Sequence, residues 1–90
     1  MLLSLLKISG HSMEPTIKNG SIVAVSSVPY CIREPKVGDV ILFLHRRKKL
    51  IKRIKEIKNG RILVEGDNKE DTSNVGWISK DELLGKILIY

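Results

Sequence analysis

The sequence is poor in the residue types that form disulfides and bind transition metals. Its 90 residues include one cysteine, Cys31, and two histidines, His11 and His45. A single cysteine cannot form an internal disulfide, so nothing in the sequence requires an oxidising compartment. These three residues also lack the spacing of a metal-ligand set. We therefore expect no metal site and no other cofactor.

Long hydrophobic runs are also missing. The longest apolar run is far shorter than the ~20 residues that a helix needs to cross a bilayer. Residues 1–6 are too short, and not basic enough at their start, for a secretory signal sequence. We expect a cytoplasmic chain or one that is peripheral at a membrane surface. An apolar fraction of 42% beside 29% charged residues is ordinary for a folded protein, and residues 1–90 are expected to form a single domain.

Positive charge is concentrated in the first two thirds of the chain. Residues 1–63 hold 13 Lys and Arg against 4 Asp and Glu, a net charge of +9. Residues 64–90 hold 3 against 6, a net charge of −3, which leaves +6 for the whole chain. Much of the excess lies in residues 46–49, with more between residues 52 and 58. Such a patch can attract nucleic acid or anionic lipid. The alternative is an ordinary solvated hairpin tip.

Short apolar runs separated by turn signals predict an all-β fold. The candidate strands are residues 2–8, 22–25, 40–44, 50–57, 61–65 and 86–90. Asn59-Gly60 predicts a tight hairpin turn, and residues 45–49 predict a basic hairpin tip. Residues 29–35 and 66–76 are expected to be loops.

One short helical turn is expected near the C-terminus. Ser79-Lys80-Asp81-Glu82 has the pattern of a capping box, and Gly85 is expected to close the turn. With about six strands and almost no helix, the expected architecture is a small, curled, barrel-like β domain.

Ser12 is the first candidate for a catalytic residue. It lies between Gly10 and Pro15, at the point where the first strand opens into a turn. A hydroxyl held at the edge of rigid structure suits a nucleophile, although an ordinary turn is the alternative interpretation. His11 is poorly placed as its base, because adjacent side chains on extended backbone diverge. His45 lies in the basic stretch, and nothing in the sequence indicates its orientation.

Lysine is the alternative base. A lysine can accept a proton where burial lowers the pKa of its amine from about 10.4 towards neutrality. In the candidate strand 50–57, Lys52 shares its face with Leu50 and Ile54. It is the one lysine of this segment with two apolar neighbours on its face, so we expect it to be desolvated. The alternative is that Lys52 snorkels from the edge of a strand.

Four short motifs in order resemble the signal peptidase I family. Ser12-Met13-Glu14-Pro15-Thr16 looks like its Ser-Met-x-Pro-Thr box, and residues 38–43 resemble its Gly-Asp-Ile/Val strand. Lys52-Arg53 matches its Lys-Arg pair, and Gly66-Asp67-Asn68 its Gly-Asp-Asn box. Residues 9–13 also resemble the Ser-Gly-x-Ser-Met of the LexA-type self-cleaving repressors, which share the fold. The Gly-Asp-Asn box favours the signal peptidase side. The short length without an anchor most resembles small family members, such as the maturation proteases of nickel superoxide dismutase.

The resemblance implies a role for each matching residue. Ser12 would be the nucleophile and Lys52 the general base, with the Ser12 N–H in the oxyanion hole. The second oxyanion donor is open, because some members use a hydroxyl at the position of Gly10. Met13 and Pro15 would shape the turn and line the substrate cleft. Arg53, Asp67 and Asn68 would support the site.

The sequence departs from the family pattern after Asn68. Thr72 stands at the position of a serine, and its hydroxyl could orient the Lys52 amine. Asn74 replaces an aspartate that would pair with Arg53, and the Ser-Arg that follows in the family is missing. Asp71 or Asp67 could replace that aspartate.

Two functions from different classes follow from these observations. The first is a serine endopeptidase that binds a precursor protein as an extended strand and removes an N-terminal segment. The second is a catalytically silent β module whose basic hairpin binds nucleic acid or an anionic membrane surface. Since the Ser-Lys pair is retained, we favour the peptidase and do not expect nucleic acid as a partner.

Overall fold

The computed structural model describes residues 2–70 and 75–90. In these ranges the chain forms a seven-stranded antiparallel sheet, curled into a half-barrel, with the strand order β1-β2-β7-β3-β4-β5-β6. The strands are β1 (Ser4–Lys7), β2 (Ile22–Ser26), β3 (Val40–His45), β4 (Lys48–Lys58), β5 (Arg61–Glu65), β6 (Gly76–Ser79) and β7 (Leu83–Ile89). The all-β prediction is confirmed. No helix in the described ranges is long and apolar enough to span a membrane.

The sheet buries apolar side chains on both of its faces. Along β3, Leu42 contributes to one cluster, whereas Ile41 and Phe43 contribute to the other, because successive residues of a strand point to opposite faces. The first cluster consists of Met13, Ile17, Val23, Val25, Val40, Leu42 and Ile87. The second cluster consists of Ile41, Phe43, Ile54, Ile62, Val64 and Ile78. Burial on both faces explains why β3 reads as an unbroken apolar run.

Two tight hairpins join the central strands. Asn59 and Gly60 both have positive φ, 52° and 75°, as the Asn-Gly signal predicts for a two-residue turn. The β3–β4 turn is equally short, since His45 pairs with Lys48. Its two residues, Arg46 and Arg47, have φ values of 51° and 67°, which are uncommon for side chains larger than glycine. The predicted basic tip is therefore narrower than residues 45–49, and two of its four Lys and Arg residues, Lys48 and Lys49, lie on β4.

Several local predictions need correction. The predicted loop 29–35 contains a one-turn helix, α1 (Pro29–Ile32), and the predicted loop 66–76 ends in strand β6. Gly85 does not close a helix but lies inside β7, which begins at Leu83. A Cβ atom at position 85 would come 2.8 Å from the carbonyl oxygen of Ser26, so glycine allows β2 to approach there.

The predicted capping box is present. Glu82 Oε1 accepts a hydrogen bond from the backbone N–H of Ser79 at 3.2 Å. The helical turn that follows is a 3₁₀ turn, Lys80–Glu82, and β7 continues from it without a loop.

Candidate active site

The candidate nucleophile lies in a turn that is anchored by two buried side chains. Residues 10–17 follow β1 and carry Ser12, which is half-buried. Met13 and Ile17 pack into the first apolar cluster, and the Ile17 N–H donates to the carbonyl of Met13 at 2.9 Å. Pro15 is exposed and follows a cis peptide bond. We call residues 10–17 the serine turn; its packing holds the Ser12 backbone against the sheet.

Lys52 is buried, as its two apolar neighbours predict. Its side chain is 4% exposed. It lies opposite Ile41 of β3 and shares its face of β4 with Ile54. Within the described parts of the chain its amine has no hydrogen-bond or ion-pair partner. Lys52 is therefore buried as a residue without an ion pair, and its Nζ keeps some contact with solvent, because among the described residues no fully buried side-chain nitrogen lacks a partner.

Gly66 connects the positions of Ser12 and Lys52. Ile54 of β4 pairs with Val64 of β5, so alternation sets Lys52 and Gly66 on the same face of the sheet. A Cβ atom at Gly66 would come 2.5 Å from the carbonyl oxygen of Ser12 and 3.3 Å from its Cβ. The Ser12 backbone thus packs against Gly66, one residue beyond the Arg53–Glu65 pair of β4 and β5, where only glycine leaves room for it.

Asn68 ties the serine turn to the end of β5. Its backbone N–H donates to the carbonyl of Ser12 at 2.8 Å. Its side-chain amide donates to the carbonyl of His11 at 2.9 Å. These two bonds fix successive peptide groups of the turn, which limits the movement of Ser12 relative to β4 and β5.

Arg53 and Asp67 form a bidentate ion pair beside the site. Arg53 Nε and Nη2 lie 2.9 Å and 2.8 Å from the two carboxylate oxygens of Asp67, and Thr16 Oγ1 donates to Asp67 at 2.7 Å. The bonds from Arg53, and then that from Thr16, hold the pKa of Asp67 below its usual range. Asp67 raises the pKa of Arg53 in turn. Of the two replacements considered for the missing aspartate, Asp67 is therefore the partner of Arg53.

The histidines have other partners. His11 Nδ1 lies 2.9 Å from Glu14 Oε1 at an exposed position. His45 Nδ1 lies 3.2 Å from Glu82 Oε2, beside the 3₁₀ turn. Neither histidine lines the cleft next to Ser12. This arrangement agrees with the argument from the sequence that His11 is poorly placed as a base, and it gives His45 the orientation that the sequence does not indicate.

The N–H group of Ser12 is available to a ligand. Across residues 2–70 and 75–90, it donates to no backbone or side-chain acceptor. An amide next to a nucleophile that has no internal acceptor can stabilise an oxyanion. Three other positions considered from the sequence, Thr72, Asn74 and Asp71, lie outside the described residues.

A cleft of about 170 Å³ opens beside Ser12. One wall is β1 with the residues that follow it, and the other is the first part of β4. The apolar lining includes Leu6, Ile8, Met13, Leu42 and Ile51. In the part of the chain that the structure describes, β1 pairs with β2 alone, and β5 pairs with β4 from Arg53 onwards. Both walls thus present strand edges with free backbone groups.

Sequence reasoning missed three residues of this region. The sequence shows Thr16 only as part of a motif. Its hydrogen bond to Asp67 is not predictable from a local pattern, because the two residues are 51 positions apart. Lys7 and Lys49 line the cleft, although the sequence indicates only that Lys49 is part of a basic stretch. No local pattern connects either lysine with Ser12, because the curl of the sheet brings β1 and β4 together.

A comparison with protein families agrees with this fold and with the motifs that surround Ser12. A family model described as Peptidase S24-like matches residues 3–88, nearly the whole chain. Comparison with curated proteins found no match. Because the family match spans every strand of the sheet and both candidate residues, the chain belongs to the Peptidase S24-like family and has its serine-peptidase-like all-β fold.

Proposed function

We propose that the protein is a serine endopeptidase in which Ser12 is the nucleophile and Lys52 the general base. The observation that carries this proposal is the contact of the Ser12 backbone with Gly66, since Gly66 and Lys52 each lie one residue beyond the Arg53–Glu65 pair of β4 and β5. Lys52 is buried and forms no ion pair with a described residue, and both histidines are engaged elsewhere. Membership of the Peptidase S24-like family supports the assignment.

The chemistry requires a proton acceptor and an oxyanion donor. Neutral Lys52 takes the hydroxyl proton while Ser12 Oγ attacks the peptide carbonyl carbon, and the Ser12 N–H stabilises the oxyanion. The C–N bond breaks as the Lys52 ammonium returns the proton to the leaving amine, which leaves an acyl ester on Ser12. Water, deprotonated by Lys52, then attacks the ester and regenerates the serine hydroxyl.

The substrate is an extended peptide bound between the two walls of the cleft. The free edge of β1 and the free edge of the first part of β4 offer backbone donors and acceptors on both sides. A peptide that binds as an added strand forms hydrogen bonds with those backbone groups, and the enzyme needs no change of secondary structure. As in the resembled signal peptidases, we propose that the cleaved bond lies near the N-terminus of a precursor protein.

The test is cleavage of a peptide library, read by mass spectrometry from about pH 7 to pH 10. Wild type is compared with Ser12→Ala and Lys52→Ala, and both variants should lose all cleavage. The matched controls are Ser21→Ala and Lys58→Ala, which lie outside the cleft and should cleave as wild type does. Full activity of Ser12→Ala would contradict the proposal.

A second candidate function rests on the basic tip, residues 46–49. Arg46 and Arg47 have positive φ at the apex of the hairpin, and both are exposed. Leu44, paired with Lys49, is 42% exposed beside these cations. An apolar side chain among cations fits the headgroup region of an anionic membrane. This binding is compatible with catalysis, because Arg46 and Arg47 do not line the cleft.

A further inference from the structure

We propose that the cleft selects peptides that carry Asp or Glu about three residues from the cleaved bond. Lys49 binds this carboxylate, and Lys7 contributes to the binding. The inference rests on the proposed peptidase function and adds a substrate class to it. Its basis is the charge of the cleft lining and the spacing along β4.

The charged residues that line the cleft are all positive. Two of its lining residues are cations, Lys7 and Lys49, and none is a carboxylate. Neither lysine forms an ion pair with any residue that the structure describes. Other lysines of the molecule do find partners, as Lys55 with Glu65 at 3.0 Å and Lys86 with Asp39 at 3.6 Å. Two uncompensated cations facing one groove favour a negatively charged occupant.

The spacing of β4 sets the position of the carboxylate. Ile51 and Lys49 share one face of β4, opposite Leu42 and Leu44 of β3. A strand rises about 3.3 Å per residue, so Lys49 lies about 10 Å along the strand from Lys52. A peptide added to this edge advances at the same rate as β4. Its residue next to Ile51 therefore enters the apolar part of the cleft, and a residue about three positions from the cleaved bond reaches Lys49.

Two different features of the cleft thus select the substrate residues on the side of the cleaved bond that the cleft binds. The apolar lining, with Leu6 and Ile51 on its two walls, selects an uncharged side chain near the bond. The lysines select a carboxylate further out, where the groove opens to solvent. Since both lysines are exposed, each contact is a solvated ion pair of modest strength, and a single acid should improve cleavage about two- to fivefold.

The experiment uses the full chain and a randomised decapeptide library. In the wild type, Asp and Glu should be enriched about two- to fivefold two to four residues from the cleaved bond, and the enrichment should weaken as salt is raised. Lys49→Glu should reverse the preference towards Lys and Arg at that position, and Lys7→Gln should weaken it. Lys58→Glu is the matched control, since it makes the same charge change outside the cleft.

A second measurement separates this inference from the peptidase proposal. Immobilised Ser12→Ala protein, with and without Lys49→Glu, is exposed to the same library, and the retained peptides are sequenced. Equal preference in both forms, or no retention, overturns the inference even if wild type cleaves. Retention of acidic peptides that depends on Lys49, without cleavage by wild type, supports the selection of acids and contradicts the peptidase.

Discussion

Gly66 approaches Ser12 so closely that a Cβ atom at position 66 would come 2.5 Å from the Ser12 carbonyl oxygen. The contact joins residues 54 positions apart in the sequence, and it involves backbone rather than flexible side-chain ends. The serine turn and the end of β5 therefore fit together only if residue 66 has no side chain. Gly66 and Lys52 each lie one residue beyond the Arg53–Glu65 pair, so the contact brings the Ser12 backbone to the end of the β4–β5 pairing from which Lys52 extends.

Gly66→Ala should impair catalysis more than it impairs folding. The added methyl must push the Ser12 carbonyl away, and displacement of about 1 Å at a nucleophile costs about 100-fold in rate. Overpacking of this size should lower the free energy of unfolding by about 1–3 kcal/mol. The measurements are kcat for a library-derived peptide and urea denaturation.

Gly60→Ala serves as the control for this variant. Gly60 has a φ of 75° and no atom within 4 Å of a Cβ placed on it, so alanine there strains the backbone without touching the site. It should lose stability and keep kcat. Equal kcat losses in the two variants would contradict a specific role for Gly66.

Asp67→Asn should destabilise the protein in a pH-dependent way. Because the pKa of Asp67 is lower in the folded state than the usual value of about 3.9, its charge stabilises the fold above that pH. This contribution disappears as the pH falls through the folded-state pKa. The variant should lose about 1–2 kcal/mol at pH 7, and its difference from wild type should shrink below about pH 4. Thermal unfolding at a series of pH values measures both effects.

Glu65→Gln is the matched comparison for that charge removal. Glu65 pairs with Lys55 at an exposed site, and such pairs contribute less than about 1 kcal/mol. If the Asp67→Asn deficit stayed constant from pH 7 to pH 3, the stabilisation would not come from the ion pair with Arg53.

Asn68→Asp should slow catalysis by releasing one peptide group of the serine turn. The substitution keeps the side-chain shape and the Oδ1 acceptor for the Glu70 N–H, but it removes the donor to the His11 carbonyl. We expect a loss of about 0.5–1.5 kcal/mol in stability and a fall in kcat with little change in KM. Asn68→Ala should behave similarly, and unchanged kcat in both variants would rule out a positioning role for the amide.

Arg46→Gln/Arg47→Gln should weaken binding to anionic membranes. Each arginine near such a surface contributes about 1 kcal/mol, so the double variant should bind vesicles containing phosphatidylserine about 30-fold more weakly. Lys58→Gln/Arg61→Gln removes two charges at the other hairpin and should bind as wild type does. Co-sedimentation at low and high salt measures this. Equal binding to neutral phosphatidylcholine vesicles would contradict the proposed surface.

The sequence predicts those features that depend on neighbouring residues. Alternation in the segment around Lys52 predicts both its strand and its burial, and Asn59-Gly60 predicts the hairpin turn that the structure contains. The capping box at Ser79 is equally local. For these features the physical cause lies within a few residues, so it is visible in the sequence.

Other features depend on contacts between distant parts of the chain. Helix α1 has four residues and β6 has four, too few for a periodic pattern to be recognised. The local sequence predicts Gly85 at the end of a helix. In the structure glycine is required there because β2 approaches closely, and that tertiary contact is not visible in the neighbouring residues. The choice of Asp67 as the partner of Arg53 likewise follows from the path of the chain after β5.

The strand order has a consequence for the local unfolding of the candidate site. Ser12 follows β1, which is an outer strand of the sheet, whereas Lys52 belongs to β4, which pairs with β3 up to Arg53 and with β5 from Arg53 onwards. Amide hydrogens of outer strands exchange with solvent through small local openings, while those of central strands exchange only when most of the protein unfolds. We therefore expect the strand that leads into Ser12 to open before the strand that carries Lys52.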